Sequence, residues 1–164
     1  MPADAGDGEA PAVRVLLGTD LVVVDRVESL LAGKPGLAER IFTTAELAYC
    51  ASRGRRRPNH LAVRFAAKEA VMKALGTGAS AGVEWTDMEV INAIGGRPTV
   101  RLHGGAAAVA RRKGVRQAEI SLSHTAGLAM ASAVLLCTDE RPVPAPAGTP
   151  DHDAGTALAI DRKP

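Results

Sequence analysis

A chain of 164 residues is long enough for one domain with a sizeable core. It is 46% apolar but only 2% aromatic, so that core must be packed from Val, Leu, Ile and Ala, and its two cysteines, Cys50 and Cys137, exclude a disulfide framework and the usual four-ligand zinc site. The net charge of +2 conceals an asymmetry: residues 13–137 carry 17 Lys/Arg against 10 Asp/Glu, whereas the two ends carry 3 basic and 8 acidic residues, a pattern that suits an anionic partner and, lacking interleaved aromatics, suits single-stranded nucleic acid poorly.

Residues 1–12 are small and acidic and read as a disordered lead. No basic region runs into an apolar stretch there, so no signal peptide is expected. Residues 13–18 form an apolar β-type run. Asp20 follows at what reads as a strand-to-helix junction, with a helix over 21–31 ended by Gly33-Lys34-Pro35. A short helix is expected over 37–42. Thr43 and Glu46 have the spacing of a capping box and predict a further helix that turns Leu47 and Tyr49 inward. Residues 52–57 are a basic loop.

The strongest helical pattern spans about 60–75. Leu61, Phe65, Met72 and Leu75 give it a large apolar face. Ala62, Ala66, Ala70 and Ala74 form a stripe at spacing four, which lets another element approach its backbone. This helix is therefore placed centrally, against a sheet, with Gly76 and Gly78 as its stop. Residues 84–91 and 99–102 read as a β-hairpin around Gly95-Gly96-Arg97-Pro98. A helix over 106–113 ends at Gly114. Strands over 117–123 and 128–136 are joined by residues 124–127. From Thr138 a tail of 27 residues rich in Pro, Ala, Gly and Asp reads as disordered. The expected fold is α+β, a domain over 13–137 with a small antiparallel sheet packed on a central helix. The longest apolar run, residues 126–137, is too short to span a bilayer. With both cysteines in apolar segments, buried thiols and a cytoplasmic, reducing location are expected, with no membrane partner.

Chemistry is suggested by the stretch RFAAKEAVMKALGTG at residues 64–78. Glu69 and Lys73, four apart, share one helical face. They suit a divalent cation and an anionic oxygen, or an ordinary surface salt bridge worth ~0.3 kcal/mol. Asp20 suits a metal ligand or a helix N-cap. His124 reads as an ordinary polar residue at a strand end, and Arg53-Gly54-Arg55-Arg56-Arg57 as a solvated charge run. Together, two carboxylates from separate segments suit Mg²⁺ coordinated mainly by water and phosphate oxygens. Lysines, arginines and glycine turns suit phosphates. No P-loop or dinucleotide fingerprint is present.

Gly18-Thr19-Asp20-Leu21 with Arg26 resembles the first motif of the holo-acyl-carrier-protein synthases, the short trimeric 4′-phosphopantetheinyl transferases, and residues 64–78 resemble their second. Trp85 to Val90, Gly96-Arg97-Pro98 and Ser121-Leu122-Ser123-His124-Thr125 resemble further family segments, in family order. The resemblance covers about 13–137. It implies transfer of 4′-phosphopantetheine from coenzyme A to a serine of an acyl carrier protein. It implies Asp20 and Glu69 as Mg²⁺ ligands, Glu69 as base and Lys73 as phosphate holder. It implies Arg64, Lys73, Gly76, Gly96, Arg97, Pro98, His124 and Thr125 as the coenzyme A site, between protomers of a homotrimer, and Arg26 facing the carrier. Many relatives have an acidic residue three positions after the first Asp. Here it is Val23, so no third carboxylate is expected from this segment. The competing reading is a non-catalytic basic module that binds nucleotide or nucleic acid.

Overall fold

The computed structural model describes residues 13–78, 82–93 and 95–138. The expected lead over 1–12 and nearly all of the expected tail lie outside the described residues. Strand β1 (Val13–Val23) is followed by helices α1 (Val24–Ala32), α2 (Leu37–Ile41) and α3 (Thr44–Ala51). A 3₁₀ turn (Gly54–Arg56) leads into the long α4 (Arg57–Leu75). Then come a 3₁₀ turn (Trp85–Asp87), β2 (Met88–Asn92), β3 (Pro98–Leu102), α5 (Gly104–Arg112), β4 (Val115–Thr125) and β5 (Leu128–Thr138). Strands β1, β5 and β4 form one antiparallel sheet in that order, and β2 pairs with β3 as a separate hairpin. Among the described residues no helix is long and apolar enough to cross a membrane.

The α+β architecture follows the expectation, with α4 packed across the inner face of the sheet. Ala129, Ala131, Ala133, Leu135 and Cys137 alternate along β5 and bury against it. The alanine stripe of α4 does what its spacing implies. A Cβ built on Gly18 of β1 would run into the Ala70 carbonyl oxygen and lie 2.7 Å from the Ala74 amide nitrogen. Only glycine permits that approach. The helix ends in a Schellman closure: Gly76 takes φ +67°, its N–H donates to Lys73 O, and Thr77 N–H donates to Met72 O at 3.1 Å.

Several boundaries differ from the sequence expectation. β1 runs through Asp20 to Val23 because β5 pairs with it along its whole length, from Thr138 opposite Val13 to Leu128 opposite Val23. Helix α1 therefore starts at Val24, whose N–H donates to Gly127 O at 2.8 Å. β4 also runs on, carrying His124 and Thr125, so that Ala126 (φ +47°) and Gly127 (φ +77°) alone make the turn to β5. Helix α4 begins at Arg57, three residues early, since Pro58 is tolerated in a first helical turn. Residues 85–87 curl because Asp87 Oδ2 accepts the Glu84 N–H, which delays β2 to Met88; the same oxygen accepts the Ala106 N–H and anchors an earlier start of α5.

The capping box on α3 forms as predicted: Glu46 N–H donates to Thr43 Oγ1 and Thr43 N–H to Glu46 Oε2. Leu47 and Tyr49 pack inward as expected, against the cluster of Ile41, Phe42, Cys50 and Leu61, but they are not the most buried residues of α3. Glu46 and Cys50 are buried, while Leu47 and Tyr49 are half-buried. The reason is Lys68, fully buried on α4 and 2.7 Å from Glu46 Oε2, which draws that face of α3 inward. Both cysteines are free and buried, as expected.

Candidate active site

Asp20 faces α4 because it shares the inward side of β1 with Gly18, two residues before it. Glu69 and Lys73, one helical turn apart, face back. Lys73 Nζ donates to Asp20 Oδ1 at 2.8 Å and to the Thr19 carbonyl at 3.0 Å. Asp20 caps no helix: the N-cap position of α1 belongs to Val23, and no side chain caps it. Among the described residues Lys73 makes its ion pair with Asp20 and none with Glu69. The two bland readings, cap and i to i+4 salt bridge, are thus not what the fold contains.

The three groups bias one another. Burial raises the Glu69 carboxyl above its ordinary range, the Asp20 charge adds to this, and Lys73 opposes it. Lys73 is raised by its hydrogen bond to Asp20, against a smaller desolvation effect. Asp20 Oδ2 is buried without a hydrogen-bond partner. A carboxylate oxygen left in that state is costly. A cation beside it would satisfy the oxygen and relieve Glu69, so the residues fit a Mg²⁺ ion. Among the described residues no three His, Cys, Asp or Glu side chains converge. The remaining ligands would have to be water and substrate oxygens. A cleft of 340 Å³ opens beside the carboxylates, lined by Asp20, Val23, Arg26, Leu30, Phe65 and Glu69. Phe65 is fixed there by stacking on Trp85, 4.9 Å between ring centroids.

A second cleft of 490 Å³ contains Arg64 and Gly96 together with Tyr49, Arg53 and Asn92. The guanidinium carbons of Arg53 and Arg64 each lie 4.1 Å from the centre of the Tyr49 ring. Arg64 Nη2 donates to Asn92 Oδ1 at 2.8 Å, and Arg64 Nε is buried without a partner. His60 packs edge-on between Tyr49 (5.7 Å) and His124 (6.1 Å). Burial and the neighbouring arginines lower the His60 pKa, which keeps it neutral near pH 7.

The sequence-predicted residues therefore fall into two groups within one chain. Asp20, Glu69 and Lys73 meet, with Gly76 just beyond on the same helix. Arg64, Gly96 and His124 belong to the second cleft and its aromatic margin. Arg97 is held by Glu119 at 2.5 Å, Pro98 opens β3 opposite Asn92, and Thr125 ends β4. Among the described residues no hydrogen bond or ion pair joins the two groups. Sequence reading missed Tyr49 and Asn92 in the second cleft, and His60 packed on Tyr49 at its margin. No spacing signal marks them, because three elements distant in sequence supply them.

Residues 16–131 match the 4′-phosphopantetheinyl transferase superfamily. The holo-[acyl-carrier-protein] synthase of Frankia alni is 48% identical over 118 residues, 72% of this chain and 93% of that protein. The fold matches the crystal structure of the Neisseria meningitidis holo-[acyl-carrier-protein] synthase, with 30% identity, a TM-score of 0.67 and coverage of 73% of this chain and 96% of that one. It also matches the Bacillus anthracis holo-(acyl-carrier-protein) synthase in complex with CoA (3′,5′-ADP), with 32% identity, a TM-score of 0.62 and coverage of 77% and 99%. This chain belongs to the 4′-phosphopantetheinyl transferase superfamily, among the holo-acyl-carrier-protein synthases.

Proposed function

We propose that this chain transfers 4′-phosphopantetheine from coenzyme A to a serine of an acyl carrier protein, releasing adenosine 3′,5′-bisphosphate. The observation that carries the reading is the Asp20–Lys73 pair at 2.8 Å with Glu69 beside it and Asp20 Oδ2 unpartnered. In the reaction the serine oxygen forms a bond to the pantetheine-side phosphorus and the bridging P–O bond breaks. The bisphosphate leaves with the electron pair, and the serine proton goes to Glu69, directly or through water.

Glu69 suits the role of base because its surroundings raise its proton affinity. Lys73 is the cation available to a phosphate oxygen, half-exposed and already aimed at the carboxylate pair. Mg²⁺, held by Asp20 and Glu69, would supply charge neutralisation at the diphosphate and polarise its phosphorus. The nucleotide end of coenzyme A would take the second cleft, where Arg53 and Arg64 offer cations to its phosphates. Gly96, Arg97, Pro98, His124 and Thr125 complete the coenzyme A site on that side in the proposal, and Gly76 contributes to it on the Lys73 side. Arg26, exposed at the rim of the 340 Å³ cleft, would meet the acidic carrier.

A homotrimer belongs to the same reading. The outer face of the sheet exposes Val13, Val15, Leu17, Leu21 and Val23 of β1 with Leu128 and Met130 of β5, and Leu17 is 66% exposed. An exposed apolar strip of this kind, broken only by Thr19 on β1, is what a subunit contact covers. The split of the predicted coenzyme A residues into two groups also fits a site completed by a neighbouring copy. Two buried free thiols suit a cytoplasmic location. The deciding test is an intact-mass measurement on an apo-carrier incubated with this chain, coenzyme A and Mg²⁺. A gain equal to phosphopantetheine is expected, and no gain with any apo-carrier would refute the assignment.

A further inference from the structure

Glu46 and Lys68 are wholly buried, and neither takes part in the chemistry proposed above. Their nitrogen and oxygen atoms are 2.7 Å apart. Apart from the capping bond to Thr43 at the head of its own helix, the remaining hydrogen bonds of the pair run to other elements. Glu46 Oε1 accepts the Val90 N–H of β2 at 3.0 Å, and Glu46 Oε2 accepts the Thr43 N–H at the head of α3 at 2.9 Å. Lys68 donates to the carbonyls of Trp85 at 3.0 Å and Met88 at 2.6 Å. With Glu46 these use all three of its N–H donors. One ion pair thereby ties α3, α4, the 3₁₀ turn and β2 together by directional bonds.

Three of those elements are the walls of the 490 Å³ cleft. Tyr49 is on α3, and Arg53 follows it. Arg64 is one turn before Lys68 on α4, and Asn92 is two residues after Val90 on β2. Apolar side chains of similar volume would hold such layers together as well or better, but without fixing how they slide. The catalytic trio does not need this pair, because the contact of Gly18 with Ala70 and Ala74 seats α4 on β1 separately.

We infer that the Glu46–Lys68 pair is a positioning device for nucleotide binding: it sets the mutual placement of α3, β2 and α4 so that Tyr49, Arg53, Arg64 and Asn92 form one cleft. The inference rests on the proposal that this cleft takes the nucleotide end of coenzyme A.

The test compares the full chain with its Glu46→Gln/Lys68→Met double variant, which removes both charges and keeps an acceptor for Val90. Thermal unfolding establishes that the variant is folded. Calorimetry gives its Kd for adenosine 3′,5′-bisphosphate, and kinetics with apo-carrier give KM for coenzyme A and kcat. Kd and KM should each rise about tenfold, with kcat at saturation within about threefold of the parent, a split that general loosening would not give. A folded variant with unchanged Kd and KM, or one that loses kcat alone, overturns the inference. If the variant does not fold, hydrogen exchange on the unaltered chain decides. The bisphosphate should slow exchange at the Thr43 and Val90 amides about tenfold, and no slowing overturns the inference. An unaltered chain that neither binds the bisphosphate nor modifies a carrier sinks the proposed function and this inference together. Normal turnover with an insensitive variant sinks only the positioning role.

Discussion

Lys73 reaches across from α4 to Asp20 on β1, 53 residues away in sequence, and leaves Glu69, its neighbour one turn back on the same helix, without that bond. The ammonium thereby holds one carboxylate and lowers the proton affinity of the other only through space. Lys73→Ala should slow transfer by ~10²-fold, as expected for one lost charge contact in a reacting site. It should also shift the acid limb of the pH–rate profile upward, because the Glu69 carboxyl loses the charge that opposes its rise. Turnover within twofold of the parent would remove Lys73 from the site.

The raised Glu69 pKa fixes the sign of a metal response. A carboxyl raised on folding stabilises the native state when protonated, and that stabilisation is lost as pH rises from the ordinary Glu range through the raised value. Above the raised value the metal-free chain therefore holds a half-buried charge at a cost, which a bound cation offsets. Mg²⁺ should raise Tm at pH 8, by an amount corresponding to about 2.7 kcal/mol at a hundred times its Kd, and by much less at acid pH. Glu69→Gln should abolish the Mg²⁺ response while leaving the metal-free Tm equal or higher. Differential scanning fluorimetry across pH reads both.

Gly18→Ala tests the seating of α4. Its Cβ would meet the backbone at Ala70 and Ala74, which cannot turn aside as a side chain can. Urea unfolding should show a loss of roughly 1–3 kcal/mol or more. Transfer should fall too, since Asp20 lies two residues further along the strand.

The hairpin turn carries the opposite signature. Ala126 has φ +47°, a conformation that costs a non-glycine residue roughly 1–2 kcal/mol and that Asn tolerates better. Ala126→Asn should stabilise the chain by about 0.5–1 kcal/mol without altering kcat. A lower Tm in that variant would show that Ala126 makes contacts that outweigh its strain.

Leu17→Glu places a charge at the centre of the exposed apolar strip of β1. If copies of the chain cover that strip, multi-angle light scattering should show the assembly reduced to monomer, with transfer falling in parallel. A monomeric parent chain would remove the trimer from the proposal.

What the sequence determined by itself is what depends on local spacing. The alanine stripe at 62, 66, 70 and 74 announced a helix that something would touch closely, and Gly18 touches it. Thr43 and Glu46 announced a capped helix, and the glycines at 76, 95 and 96 announced stops and turns. The motif around Glu69 with Asp20 upstream pointed to the family. Tertiary structure decided the rest. Strand ends were set by β5, whose full pairing with β1 carried Asp20 out of a helix start and into a strand. No window of sequence contains that partner. Lys68 read as one more helical charge until α3 brought Glu46 against it, because burial of a charge depends on a counter-charge supplied from 22 positions away. The second cleft is assembled from α3, α4 and β2, and its residues carry no common period. Periodicity reports which face of an element is apolar; which element that face meets is fixed only when the whole chain packs.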